Sequence, residues 1–237
     1  MNQDFPDGND GRKELVVPSS QAARVLLDGL NWVYDRAVGG GFGFSGAEET
    51  AKAYRAEAES IEDAINSLIR WQVAKASAAG FVSNIGGLIT LPVAIPANLV
   101  GVLFIQLNMV ASIASMRGYD TKSDRVRTFA QACLVGSGAV DLIKDVGVQV
   151  GSKLASQALM AVSGNTLIRI NQMVGFRLVT KAGATGVVNL SKLVPFVGGL
   201  VGGAIDGSAT AVIGGAAKML FPTVSSGASG SGNATEG

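Results

Sequence analysis

The longest uncharged segment of the chain covers residues 76–116. A helix on a protein surface normally exposes one polar face to water. A segment without charged residues is therefore expected to be buried by protein or by lipid. Pro92 and Pro96 divide it, because each proline removes a helical hydrogen bond and disfavours helix in the residue before it. The pattern predicts a helical hairpin with arms at about 76–90 and 96–116, joined by a proline-bounded turn.

Two interpretations of this hairpin stay open: core helices of a soluble bundle, or a hairpin inserted in a membrane. At ~1.5 Å per residue the second arm measures roughly 31 Å and the first roughly 22 Å. Only the second arm reaches across a ~30 Å hydrocarbon core. Basic residues flank both ends, which favours entry and exit on the cytoplasmic face. The side chains expected to contact a membrane or an apolar ligand are Phe81, Ile85, Leu88, Leu91, Pro92, Pro96, Leu103 and Phe104.

Apolar residues recur at helical spacing through the rest of the chain and predict amphipathic helices. The first expected helix follows Ser20 as far as Gly39, and the second occupies 47–79 with a break near Ser60 left open. The others lie after Ser123, at 140–162, at 167–181 and, in the segment 187–221, from near Pro195 onward. No segment shows a convincing strand alternation. The fold class predicted is all-α: one domain at 18–221, a bundle of about seven or eight helices around the hairpin and a glycine-rich last helix. The tails at 1–17 and 222–237 are expected to be disordered.

The last predicted helix carries small residues at four-residue steps, with Gly199, Gly203, Gly207 and Gly215 in one row and Asp206 in the neighbouring row. Two such rows form a flat strip on which another helix, or a second copy of the chain, can lie.

An unpartnered buried carboxylate at Asp206 would cost several kcal/mol or take up a proton. It is therefore expected either to pair with Arg169, Arg177 or Lys192, or to form a functional polar centre with Lys192 and Arg177 in an apolar setting.

Composition favours packed or membrane-facing helices over catalysis. Hydrophobic residues make up 48% of the 237 residues and charged residues 16%, against about 25% charge in typical soluble domains. The net charge of +1 is too small for a nucleic-acid partner. The single cysteine excludes an internal disulfide and fits a reducing compartment, and the first residues lack a secretory signal. A cytoplasmic location is therefore expected.

The chain has no histidine, which excludes Ser-His-Asp and Cys-His catalysis and the common histidine-containing metal sites. Cys133 lies in an apolar stretch and is interpreted as a packing residue. The glycine-rich stretch 39–43 lacks the lysine of a phosphate-binding loop. Asp141 and Asp145 are one helical turn apart and are interpreted as a solvated face. No catalytic residue, cofactor or metal is predicted.

A series of motifs in this order resembles the EcsC protein family. They are Ile69–Gln72, Gly86–Pro92 with Ile95 and Pro96, Ile113 and Ala114, Gly118–Asp120, Val126–Thr128, Cys133 and Leu134, Ile170–Leu178, Asn189–Lys192 with Pro195, Val197–Gly203 with Asp206, Ala216–Lys218 and Phe221. The family is named after a bacterial gene beside an ATP-binding-cassette exporter, and its members are helical proteins without an established activity. The resemblance implies a bacterial, helical protein tied to membrane transport and supplies no catalytic residue.

Function is therefore expected to be non-enzymatic: a protein at the inner face of the cytoplasmic membrane that assists a transport or envelope process. Its expected partners are membrane lipid or inner-membrane transport proteins, and a second copy through the glycine-rich helix. One alternative is a soluble helical binder of lipid or another apolar ligand, with the hairpin lining a cavity. A second alternative is a hydrolase or a membrane-damaging effector.

Overall fold

A computed structural model of the chain describes residues 21–77, 97–151, 155–183 and 199–224. These ranges contain α-helices, one 3-10 turn at Gly136–Gly138 and no strand beyond an isolated bridge between Gly41 and Phe44. This confirms the all-α prediction. The helices are α1 (Gln21–Gly39), α2 (Ala47–Ala56), α3 (Ile61–Ser77), α4 (Ala97–Met116), α5 (Asp124–Cys133), α6 (Ala139–Asp145), α7 (Ala155–Met160), α8 (Gly164–Gly183) and α9 (Gly199–Leu220).

The uncharged helix α4 is the centre of the bundle. It packs against α1, α2, α3, α5 and α9, and between Val100 and Met116 only Leu103 and Ser115 escape full burial. The second arm of the predicted hairpin is therefore covered by protein. The first arm lies outside the described residues apart from its start at the end of α3. No helix in the described ranges combines the length and the apolar character needed to traverse a bilayer.

Polar side chains on α4 bind backbone groups of its neighbours. Asn108 Nδ2 donates to the carbonyl oxygens of Ala37 at 2.9 Å and Ser45 at 3.1 Å, and Ser112 Oγ donates to the Ala47 carbonyl at 3.1 Å. Carbonyls near the end of a helix have no intrahelical partner, so Asn108 satisfies one that α1 leaves open. These bonds fix how α1, the following loop and α2 meet α4.

The long helix predicted at 47–79 is two helices, with the break at 57–60. Ser60 caps α3: its hydroxyl accepts the Asp63 N–H at 3.1 Å and donates to Asp63 Oδ2 at 2.5 Å. This reciprocal pairing resembles a capping box, and it starts a new helix at Ile61 although the apolar period continues across the junction.

The prediction of one continuous helix at 140–162 is wrong. Helix α6 ends at Asp145 and α7 begins at Ala155. Between them Gly147 and Gly151 have φ angles of +82° and +79°, a left-handed conformation that ends a right-handed helix and that glycine adopts without strain.

The glycine-rich helix α9 packs within the chain, along α3. A Cβ on Gly207 would collide with the Ser77 hydroxyl, and one on Gly214 would lie 2.9 Å from Ile69 Cγ1. A Cβ on Gly215, by contrast, would meet nothing within 4 Å, and this residue is exposed. Gly207 and Gly214 therefore lie on the face of α9 that contacts α3, and Gly215 lies on a different, exposed face.

The far end of α9 is fastened to the end of α4 by Arg117, whose side chain is 6% exposed. Arg117 Nη1 donates to the carbonyl oxygens of Lys218 and Phe221, both at 2.6 Å, and Nη2 pairs with Glu62 on α3. Lys218 Nζ also reaches Glu62, at 3.1 Å. A cation on the last carbonyls of a helix is favourable for the helix dipole.

The first residues of the predicted C-terminal tail take part in the same junction. Tyr119 donates its hydroxyl to the Pro222 carbonyl at 2.6 Å, and the Val224 N–H donates to the Arg117 carbonyl at 3.1 Å. Tertiary hydrogen bonds in the described chain therefore continue as far as Val224. The rest of the tail lies outside the described residues.

Candidate functional site

A cleft of about 410 Å³ opens between α2, α3, α4 and the loop that joins α1 to α2. We call it the aromatic cleft, because four aromatic side chains line it together with Lys75 and several small or polar residues. Its lining residues are Gly43, Phe44, Ser45, Glu49, Thr50, Ala53, Tyr54, Trp71, Gln72, Lys75, Phe104, Ile105 and Asn108.

The loop before α2 shapes one wall of the cleft. Gly41 and Phe44 exchange two backbone hydrogen bonds, of 3.1 and 2.9 Å, which close a tight turn. Inside the turn Phe42 has a φ angle of +56°, a strained conformation for a residue with a side chain. The rings of Phe42 and Phe44 lie 5.3 and 5.8 Å from that of Phe104 on α4. This aromatic packing holds the strained turn against the core.

Lys75, in the last turn of α3, is the cation of the cleft. Its Nζ lies 5.9 Å from the ring centroids of both Phe44 and Trp71. Burial lowers the pKa of Lys75, because part of its hydration is lost. Within the described ranges no carboxylate approaches it to ion-pair distance. Glu49 lines the same cleft but is exposed to solvent. The ammonium group is thus partly desolvated and lies beside two aromatic faces.

Trp71 forms the rim of the cleft and is 55% exposed, the most exposed large aromatic side chain among the described residues. On its other side a shallow groove of about 450 Å³ is lined by Tyr54, Glu57, Ser67, Arg70 and Trp71. An indole that is partly in a cleft and partly in water is suited to a boundary between apolar and aqueous phases.

The cleft has features of a binding site. In the portion of the chain that the structure describes, no cluster of three or more His, Cys, Asp or Glu residues could hold a metal ion. Cys133 is fully buried on α5, away from the cleft, and burial raises the pKa of its thiol. Aromatic and polar side chains line the cleft in similar measure, and polar groups that converge beside an apolar wall occur in small-molecule pockets.

The site residues predicted from the sequence lie at different places in the structure. Phe104 lines the aromatic cleft, and Leu103 is half-buried against the core. Arg177 donates to Asp145 Oδ2 and to the Gly138 carbonyl, each at 3.0 Å, so its described partners lie at α6. The residues that fall outside the described part, by position or by side chain, are Phe81, Ile85, Leu88, Leu91, Pro92, Pro96, Lys192, Gly199, Gly203 and Asp206.

Sequence reasoning missed Phe44, Tyr54, Trp71 and Lys75 as members of one site. In the sequence Lys75 stands out only as the flank of the uncharged segment. A usable signal is the pair of phenylalanines within Gly41–Phe44, since apolar rings in a glycine-rich loop need a surface to cover.

Comparison with known proteins supports one family. Residues 19–223 match the EcsC protein family. No curated protein and no solved structure shows a significant match.

Proposed function

The chain belongs to the EcsC protein family, and from its structure we propose that it is a non-enzymatic protein that binds an anionic amphiphile in the aromatic cleft. The ligand class is a molecule with one carboxylate or phosphate group and an acyl chain, such as a fatty acid or a membrane phospholipid. In this proposal the chain works at the inner face of the cytoplasmic membrane and assists a transport or envelope process.

The observation that carries the proposal is the environment of Lys75. Lys75 loses part of its hydration and gains no carboxylate among the described residues, so two aromatic faces are its compensation there. A bound anion would add charge-assisted hydrogen bonds. The Phe44 and Trp71 rings of the cleft offer apolar surface to the rest of the ligand. A volume of about 410 Å³ lies at the lower end of the ~300–1,000 Å³ range of ligand pockets, which favours one chain over a complete two-chain lipid.

The membrane location is supported by the rim of the cleft. Tryptophan is enriched at membrane–water interfaces, and lysine side chains extend from such positions to the headgroups. Trp71 and Lys75 are one helical turn apart on α3, and the uncharged segment begins at the next residue, Ala76.

The test is the binding of oleate, measured by isothermal titration calorimetry with Lys75→Met and a matched control. Lys52→Met removes an exposed lysine of α2 that does not line the aromatic cleft. Loss of a hydrogen bond to a charged group is worth about 1.5–3 kcal/mol, so Lys75→Met should weaken oleate on the order of tenfold or more. Lys52→Met should bind like the unaltered protein. Equal oleate affinity in both variants would contradict the proposal.

A second arm distinguishes a free ligand from a membrane lipid. The protein is sedimented with vesicles of phosphatidylcholine containing or lacking phosphatidylglycerol. Co-sedimentation that needs the anionic lipid and is lost in Lys75→Met supports the membrane location. Oleate binding without co-sedimentation supports the binder of a free amphiphile and removes the membrane part of the proposal.

A further inference from the structure

Two carboxamide side chains line the aromatic cleft in addition to Lys75 and the aromatic rings. Gln72 is on α3 and Asn108 is on α4, and each is 4% exposed. Gln72 precedes Lys75 by three residues, so the two side chains project from one face of α3. At ~1.5 Å per residue their backbone positions are roughly 4.5 Å apart along the helix axis. A ligand that binds the Lys75 ammonium group can therefore also contact Gln72.

The carboxamide of Asn108 is held in one orientation. Its Nδ2 donates to the carbonyl oxygens of Ala37 and Ser45, at 2.9 and 3.1 Å. A carboxamide has two N–H donors, so these bonds use both of them. Turning the group over would place its oxygen against two carbonyl oxygens. Asn108 Oδ1 is therefore an acceptor fixed by the fold, and no described residue donates to it.

The carboxamide of Gln72 has no hydrogen-bond partner among the described residues, although the residue is almost completely buried. Buried polar side chains in folded proteins nearly always have a partner. Some unpartnered atoms of the described chain are closed off from solvent, but neither the Gln72 carboxamide nor Asn108 Oδ1 is among them. Because both residues line the cleft, a molecule bound there can reach these atoms.

A simple fatty acid would use only part of this lining. Its carboxylate can bind Lys75 and its chain can cover the Phe44 and Trp71 rings, but it has no group that donates to Asn108 Oδ1. Displacing water from a polar group without replacing its hydrogen bonds lowers affinity. The ligand therefore needs an N–H for Asn108 and a carbonyl oxygen for Gln72, both close to its anionic group. A secondary amide attached to the carbon that carries a carboxylate has these features.

We propose that the aromatic cleft selects N-acyl α-amino acids. The carboxylate binds the Lys75 ammonium group, the amide N–H donates to Asn108 Oδ1, and the amide carbonyl oxygen accepts from Gln72 Nε2. The acyl chain lies along the Phe44 and Trp71 rings. This inference rests on the proposed function, because it names the ligand class of the same site.

The experiment compares oleate, N-oleoylglycine and N-oleoylsarcosine by isothermal titration calorimetry. Oleate lacks the amide, and N-oleoylsarcosine differs from N-oleoylglycine only by an N-methyl group that replaces the N–H. N-Oleoylglycine should bind the unaltered protein on the order of tenfold more tightly than either of the other two. Because the ligand is changed and Asn108 is not, the hydrogen bonds from Asn108 to Ala37 and Ser45 stay intact.

Gln72→Met tests the contact to the amide carbonyl. Methionine is similar in length, and the substitution breaks no hydrogen bond of the described structure, so the variant is expected to fold. Its preference for N-oleoylglycine over oleate, expressed as the ratio of the two affinities, should fall on the order of tenfold. Gln172→Met is the matched control, because Gln172 is exposed on α8 and does not line the cleft. The control should keep the preference.

A preference for N-oleoylglycine that both N-methylation and Gln72→Met reduce supports the N-acyl amino acid as the ligand class. Equal affinities for oleate and N-oleoylglycine, both weakened in Lys75→Met, overturn this inference and leave the proposed function standing, with water on the two carboxamides. An unchanged preference in Gln72→Met overturns it as well. If neither molecule binds, the proposed function fails and this inference fails with it.

Discussion

Arg117→Met tests whether one buried guanidinium group holds the α4–α9 junction together. The substitution keeps an unbranched chain as far as the position of Nε and removes two charge-assisted bonds, to the Lys218 and Phe221 carbonyls. Each is worth about 1.5–3 kcal/mol, which gives roughly 3–6 kcal/mol. The ion pair with Glu62 adds only about 0–1 kcal/mol, because Glu62 is 51% exposed. Relief of the buried, unpartnered Arg117 Nε returns about 1–3 kcal/mol.

The expected net loss in the free energy of unfolding is therefore about 3 kcal/mol, measured by urea denaturation at pH 7. Arg24→Met is the control, because Arg24 is exposed on α1 and has no hydrogen bond or ion pair in the described structure. A loss for Arg117→Met within about 0.5 kcal/mol of the control would refute the reasoning, since surface substitutions already vary by that amount.

The same junction predicts how stability depends on pH. Burial raises the pKa of Glu62, but hydrogen bonds from Lys218 and Arg117 outweigh it and the net pKa is lowered. A lowered folded-state pKa gives stability that is present above the unfolded pKa of about 4.3 and is lost as the pH falls through the folded value. Arg117→Met should therefore flatten the acid limb of the stability profile. An acid limb as steep as that of the unaltered protein would show that Glu62 does not gain from Arg117.

Two further predictions concern α9 and the cleft. Gly214→Ala places a Cβ 2.9 Å from Ile69 Cγ1 whereas Gly215→Ala meets nothing within 4 Å, so Gly214→Ala should be less stable than Gly215→Ala by about 1–3 kcal/mol in urea denaturation. Equal stabilities would show that α3 moves aside freely. Oleate affinity should fall as the pH rises through the lowered pKa of Lys75, earlier than an ordinary lysine with a pKa of 10.5 would allow, and Lys75→Arg should keep its affinity across the same pH range. A calorimetric oleate affinity that stays constant up to pH 10.5 would show that oleate does not bind the Lys75 ammonium group.

Hydropathy patterning predicted the elements whose apolar faces are long and regular. Helix α1 ends at Gly39 and α8 covers the predicted 167–181, because each buries one apolar stripe against the core. The breaks at Ser60 and at Gly147 depend on a cap and on left-handed backbone, which involve a few polar or glycine positions and leave the apolar period unchanged.

The aromatic cleft was beyond sequence reasoning for a different reason. Phe44, Trp71 and Phe104 come from a loop and two helices, and they meet only because α3 and α4 pack side by side. Periodicity assigns each residue to a face of its own element and does not say which faces share a cavity.

The position of α4 has a consequence for synthesis of the chain. Its Gln106 donates to Thr210 of α9 at 3.2 Å, across 104 residues of sequence. Ribosomes add about 5–20 residues per second, so α4 waits roughly 5–20 s for the helix that completes its cover. During that interval an uncharged, apolar helix is available to chaperones, to other nascent chains and to the membrane. Because α4 precedes α9 by about a hundred residues, this core is most exposed to unwanted partners while the chain is being translated.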